Sequence, residues 1–108
     1  MMKMKKMSVY LGEKDRYQHK EMYEHILEIC YNNGIKGATV IKGIMGFGEK
    51  RHIHRNDFFT LSEDLPIVVE VIDVEERINF LASRVRELPF DGLIVIQDVE
   101  AYYVTGKK

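Results

Sequence analysis

Pro66-Ile67-Val68-Val69-Glu70-Val71-Ile72, followed at once by Asp73-Val74-Glu75-Glu76, is the stretch that decides how this chain folds. Five β-branched apolar residues fill seven positions behind a proline, which reads as a strand over Pro66–Ile72. Asp73 then has the chemistry of a helix N-cap, with Glu76 three residues on as its capping-box partner. Ile78, Leu81, Ala82, Val85 and Leu88 recur at helical spacing behind it. Pro89 ends that helix, Asp91-Gly92 makes a tight turn, and a further strand runs from Leu93 to about Tyr103.

Upstream, Met7, Val9 and Leu11 alternate within a first strand over Met4–Leu11. Asp15 reads as an N-cap with Gln18 as its capping-box partner, opening a helix that reaches about Asn33. Met22, Tyr23, Ile26, Leu27, Ile29 and Cys30 form its apolar stripe, and Asn33-Gly34 supplies a left-handed stop. A second strand spans about Gly37–Met45, and a loop follows from Gly46 to about Asp64. The order is β-α-β-β-α-β. With right-handed crossovers it predicts an α+β, ferredoxin-like sandwich: a four-stranded antiparallel sheet with two helices on one face. The chain from 1 to 108 is expected to be one domain, with a flexible loop at about 46–64.

Composition narrows the function classes. Of 108 residues, 45% are apolar and 31% charged, an ordinary globular balance. Net charge is −1, so no basic excess drives binding to a phosphate backbone, and no nucleic-acid partner is expected. The one cysteine, Cys30, excludes an intrachain disulfide and a cysteine-based zinc site, and reads as a small core hydrophobe. No apolar run is long enough for a membrane span, so no membrane insertion is expected. The methionine- and lysine-rich start lacks the apolar region of a signal peptide, and the expected location is cytoplasmic.

Ile67–Ile72 and Leu93-Ile94-Val95-Ile96 are nearly continuous apolar runs rather than alternations, the mark of strands buried on both faces. Two helices cover one face of a sheet. A second copy of the chain is the simplest cover for the other, so a homo-oligomer is expected.

The segment from Gly34 to Gly48 holds five of the eight glycines. Glycine weakens a strand, so this cluster serves either turns and bulges or close backbone approach to a ligand, where successive N–H groups form an anion nest. Gly46-Phe47-Gly48 matches neither a Walker loop nor the Rossmann order. Glu49-Lys50-Arg51-His52-Ile53-His54-Arg55 follows directly. Lys50, Arg51 and His52 behind the glycines have the chemistry of a phosphate clamp. A loop of about 19 residues also exceeds the ~12–15 at which loops without a function become uncommon. His52 and His54, spaced i and i+2, offer an alternative as metal ligands, with Asp57 as a third donor. Phe58-Phe59 is expected to fold back on the core, and His19 and His25 to lie on the surface.

Catalysis finds little support, because no nucleophile–base or acid–base pair can be assembled. Glu70 sits within an apolar strand, where a role at an interface fits better than an acid–base one. An RNA-binding domain of the same element order needs aromatics on its central strands and a basic sheet face. Strands one and three offer only Tyr10.

Taken together, Gly37-Ala38-Thr39-Val40, Gly46-Phe47-Gly48, His52 and Ser62-Glu63-Asp64-Leu65-Pro66 resemble the PII signal-transduction superfamily, most closely its uncharacterised PII-like branch. The resemblance runs from about Met7 to Val104 with the same element order. It implies a trimer with an adenine nucleotide in the clefts between subunits, no required cofactor, and a loop between strands two and three that docks on a target protein, a membrane transporter or an enzyme. Carried over by position, Thr39 lies near the adenine, and Gly46, Phe47 and Gly48 form the base of the signalling loop beside the nucleotide; Gly43 is a further candidate there, and Lys50, Arg51 and His52 would partly substitute for a phosphate-holding loop. The chain departs from the PII pattern in two places. Thr39 to Gly46 is one residue longer, which a bulge near Gly43 would absorb. Leu88-Pro89-Phe90-Asp91-Gly92 stands where a glycine-rich loop holds the phosphates, which favours ADP or AMP over ATP. The competing reading is a metal-binding, metal-tolerance trimer using His52 and His54.

Overall fold

The structure is a computed structural model that describes residues 2–48, the backbone of 54–55, and residues 64–106. The strands are β1 (Met2–Gly12), β2 (Arg16–Tyr17), β3 (Lys20–Glu21), β4 (Ala38–Lys42), β5 (Met45–Gly46), β6 (His54–Arg55), β7 (Pro66–Asp73) and β8 (Leu93–Ala101). The helices are α1 (Met22–Asn32), after β3, and α2 (Glu75–Arg86), after β7. The main sheet is antiparallel with order β4-β7-β1-β8. With the short pairs set aside, this is the ferredoxin-like arrangement expected from the element order.

One face of the sheet and the two helices make the core. Met7, Val9 and Leu11 of β1 pair with Val71, Val69 and Ile67 of β7, so all six share a face. They meet Met22, Ile26 and Cys30 of α1 and Ile78, Leu81, Ala82 and Val85 of α2. Ile78, Leu81 and Val85 are fully buried, and each such side chain contributes about 1.5–3 kcal/mol of transfer free energy. Glu75 and Glu76 begin α2 and Arg84 and Arg86 end it, an order that complements the helix dipole.

Among the described residues, no layer covers the other face. By register it carries Thr39 and Ile41, Val68, Glu70 and Ile72, Lys6, Ser8 and Tyr10, and Leu93 and Val95. Tyr10 and Ile41 are each 44% exposed and Ile72 is 42% exposed. The apolar runs in β7 and β8 are therefore half covered by the chain itself. Glu70 is met on this face by Lys6, 3.4 Å away.

Several expectations about the connections change. The first helix begins at Met22, not beside Asp15. Residues 16–21 instead form a β2–β3 hairpin whose two turn residues, Gln18 (φ 52°) and His19 (φ 69°), both take the left-handed conformation. Positive φ at both central positions is what a tight hairpin turn needs, and it takes Gln18 away from any capping box. The Asp15 carboxylate accepts the Gly12 N–H (2.8 Å) and its carbonyl accepts the Met22 N–H (2.7 Å). His25 is not a free surface residue either: its Nε2 lies 2.5 Å from the Tyr17 carbonyl, and its ring leans on that of Tyr17. Gly34 does adopt the left-handed stop, with φ 75°.

Asp73 does not cap α2 through its second or third N–H. Val74 is the residue at the cap, and the Asp73 carboxylate, 1% exposed as a residue, works as a junction. It accepts the Val74 N–H (2.7 Å), Arg77 Nη1 (3.3 Å) and the Lys36 N–H (3.4 Å). Glu76 makes no capping-box bond there. The second strand stops at Lys42 instead of running to Met45, because the chain leaves the sheet at Gly43. Met45–Gly46 then pairs with His54–Arg55, so the expected loop from Gly46 contains a strand pair. Phe58 and Phe59 lie outside the described residues.

Candidate functional site

Four strand ends meet at one end of the main sheet. Register puts Gly12 beside Pro66, Lys42 beside Ile67 and Tyr10 beside Leu93. The glycine stretch, the turn after β1 and the connection before β8 therefore share that end.

Pro66 explains two of the glycines. Gly43 donates its N–H to the Pro66 carbonyl (2.8 Å), and a Cβ on Gly43 would lie 2.7 Å from Pro66 Cγ. The same atom would be 3.1 Å from a Cβ on Gly46. Both positions are small because the chain crosses the proline ring. Gly48 differs: among the described residues, a Cβ there would meet nothing within 4 Å. Packing thus accounts for Gly43 and Gly46 and gives no reason for Gly48. Phe47, between the last two, is 60% exposed.

Thr39 sits apart from these. It lies on the open face, opposite Glu70, whereas Lys42 points to the helix side of the same edge strand. At roughly 3.4 Å per strand residue, Thr39 and Gly43 are about 14 Å apart along the edge. The structure thus joins Gly43, Gly46, Phe47 and Gly48 in one segment and reaches Thr39 only along β4. Lys50, Arg51, His52 and Asp57 lie outside the described residues, and of His54 only the backbone is described. Among the described residues, no three His, Cys, Asp or Glu side chains gather as metal ligands.

Two contacts beside the glycines, between residues far apart in sequence, have no signal in the sequence. Lys42 Nζ pairs with Glu13 Oε2 at 2.7 Å. The Lys14 N–H donates to the Asp64 carboxylate at 2.7 Å across fifty positions of sequence. Only a strand register, which the sequence does not print, brings 13 to 42 and 14 to 64. Tyr23 belongs to the same neighbourhood. Burial first, then the carboxylates of Glu21, Glu24 and Glu13, hold its phenol above the ordinary pKa, and Lys42 opposes them.

The connection before β8 makes no phosphate cradle. Phe90 donates its N–H to the Leu88 carbonyl (3.0 Å), and Gly92 packs against the Phe90 ring. A groove of ≈ 640 Å³ opens between α2 and β8, lined mainly by apolar side chains such as Val85, Leu88, Phe90 and Ile94, with Arg86 as its cation. Among the described residues, no helix is long and apolar enough to cross a membrane.

Comparison with known proteins agrees with this architecture. The DUF190 family model, described as an uncharacterized ACR, matches residues 4–101. A UPF0166 protein of Methanocaldococcus jannaschii is 42% identical over 103 residues, covering 94% of each chain. A UPF0166 protein of Aquifex aeolicus is 34% identical over 104 residues, covering 96% of this chain and 98% of its own. Among solved structures, CPII of Thiomonas intermedia K12 bound to ADP and bicarbonate superposes with a TM-score of 0.68 at 18% identity, over 91% of this chain and 87% of that one. The same protein, described as a nitrogen regulatory PII-like protein and bound to ADP, AMP and bicarbonate, gives 0.69 at 17% identity over the same shares. At these identities the likeness is one of fold.

Proposed function

The chain belongs to the DUF190 family and has a PII-like fold, and from that premise we propose that it is a regulatory binding protein for an adenine nucleotide, ADP or AMP in preference to ATP. The observation that carries this reading is Gly48. It follows two glycines that crowd Pro66, has no described residue within 4 Å of a Cβ placed on it, and leads towards the cationic run Lys50-Arg51-His52. Successive N–H groups with open approach suit an anion, and neighbouring cations add charge-assisted bonds. CPII, which shares the fold, is described with ADP and with AMP bound.

On this reading Thr39 meets the adenine end. Gly43, Gly46, Phe47 and Gly48 line the nucleotide, and Lys50, Arg51 and His52 hold its phosphates. The absence of a glycine-rich cradle at Leu88–Gly92 is the reason to favour fewer phosphates. The open sheet face, with Tyr10, Ile41, Val68 and Ile72, supports assembly with further copies, and a trimer puts the nucleotide in clefts between them. Ligand state is then passed through the loop at about 46–64 to a target protein, a transporter or an enzyme, in the cytoplasm. Binding, and not catalysis, is the activity.

Titration calorimetry with AMP, ADP and ATP tests the reading. ADP or AMP is expected to bind at least tenfold more tightly than ATP, a difference of about 1.4 kcal/mol. No heat with any of the three would end the nucleotide assignment.

A further inference from the structure

The four-residue turn Gly12–Asp15 touches both flanks of the segment between β4 and β7. On the incoming flank, Lys42, the last residue of β4, pairs with Glu13. On the outgoing flank, the Glu13 N–H donates to the Leu65 carbonyl (2.8 Å) and the Lys14 N–H to the Asp64 carboxylate (2.7 Å). Gly12 lies so near Asp64 that a Cβ on it would collide with the carboxylate. The turn is closed on itself by the Asp15 carboxylate, which accepts the Gly12 N–H at 2.8 Å. One short turn thus holds the start of β7 by its backbone and the end of β4 by a side chain.

The two grips differ in kind. The bonds to Leu65 and Asp64 are both donated by backbone N–H groups one and two residues beyond the Gly12–Pro66 register pair. The Lys42–Glu13 pair joins a half-exposed lysine to a glutamate that is only 29% exposed at its side chain, so the lysine is the partner with room to leave. Pairs of this exposure are weak, and a phosphate offers a lysine a stronger partner. Lys42 also immediately precedes Gly43, where the glycine stretch leaves the sheet.

We propose that the turn Gly12–Asp15 is a relay, in which an anionic group seated on the glycine stretch draws Lys42 away from Glu13 and the loosened turn releases Asp64 and Leu65. The identity of the anion as a nucleotide phosphate rests on the function proposed above; the mechanical link between Lys42 and Asp64 does not. The ligand's presence at one flank thereby reaches the two residues that lead into β7.

Amide hydrogen exchange, read by NMR on the full chain, tests the link without any ligand. In Lys42→Met the Lys14 and Glu13 amides are expected to exchange about fivefold faster than in wild type, while Lys42→Arg keeps the wild-type rate. Unchanged exchange in Lys42→Met overturns the relay, whatever the ligand proves to be. A second arm adds ADP. Wild type is expected to show the same acceleration. Calorimetry is expected to give about tenfold weaker ADP binding in Lys42→Met and severalfold tighter binding in Glu13→Gln, whose freed lysine has no competitor. If wild type and Lys42→Met bind ADP alike, Lys42 is not the cation that the anion recruits, and that step of the relay falls. If wild type takes up no ADP, the nucleotide assignment fails, and the ligand-free arm alone decides the relay.

Discussion

Gly92 passes so close to Tyr10 that a Cβ on it would lie 2.5 Å from the Tyr10 carbonyl oxygen and equally near the Phe90 ring. The oxygen belongs to a central strand, so the backbone has little room to yield. This contact lets the chain turn from α2 into β8 directly beside β1, with Leu93 in register with Tyr10. Gly92→Ala is expected to destabilise the fold by about 2 kcal/mol, lowering the melting temperature by roughly 10 °C. Thermal unfolding by circular dichroism reads this directly. An unchanged melting temperature would mean that the turn has slack the geometry does not show.

The sequence makes the sheet and helices legible because their burial repeats at period 2 or 3.6. Met7, Val9 and Leu11, or Ile78, Leu81 and Val85, announce their faces by spacing alone. The ends of elements follow other rules. Asp15 and Asp73 both carry cap chemistry, yet each carboxylate is engaged elsewhere, Asp15 by the Gly12 N–H and Asp73 by Val74, Arg77 and Lys36. A short acceptor suits several donors, and tertiary contact selects among them. Gln18 and His19 at positive φ are not residues that mark a hairpin, so β2–β3 was hidden. For the candidate site, the glycines were visible but not their reasons. Only the crossing over Pro66 separates Gly43 and Gly46 from Gly48, and only register brings Glu13 to Lys42.

Asp73 ties the connection after α1 to the start of α2. Asp73→Ala leaves the Lys36 and Val74 N–H groups and the Arg77 guanidinium without this acceptor, in a place where the carboxylate is nearly inaccessible to water. A loss of about 3 kcal/mol is expected in urea unfolding, with Asp73→Asn losing about half as much because one oxygen remains. Equal stability of Asp73→Ala and wild type would contradict a junction role.

Cys30 faces the core from α1, and burial pushes its thiol up to about 11 from an ordinary 9.0. Folded protein at pH 8 is therefore expected to react with a thiol-directed disulfide reagent at least tenfold more slowly than unfolded protein in guanidinium. The sign for stability follows. The folded state keeps its proton where the unfolded chain has lost it, so Cys30's contribution is whole below about pH 9. It is lost as the pH rises towards 11, by about 2–3 kcal/mol. Cys30→Ala should lack this term in an alkaline unfolding series.

Val68 occupies the middle of the open sheet face, between Ile41 on β4 and Tyr10 on β1. A carboxylate there costs little in an isolated chain and much beneath a second copy. Wild type is expected to elute and scatter light as an oligomer, and Val68→Glu to run as a smaller species with its helical signal intact. A monomeric wild type would remove the need for a partner on this face.

Gly43 and Gly48 separate the structural use of glycine from the functional one. Gly43→Ala drives a methyl to 2.7 Å from the Pro66 ring, a stiff neighbour, so a loss of about 1–3 kcal/mol is expected. Gly48→Ala meets no atom of the described residues within 4 Å and should change stability by no more than about 0.5 kcal/mol. If the Gly48 N–H belongs to an anion nest, the added methyl nevertheless blocks the approach, and ADP affinity should fall at least tenfold at unchanged melting temperature. Stability and binding thus move in opposite patterns for two glycines five residues apart. Gly48→Ala binding ADP as wild type does would remove this backbone from the site, leaving the cations Lys50 and Arg51 as the remaining candidates for the phosphates.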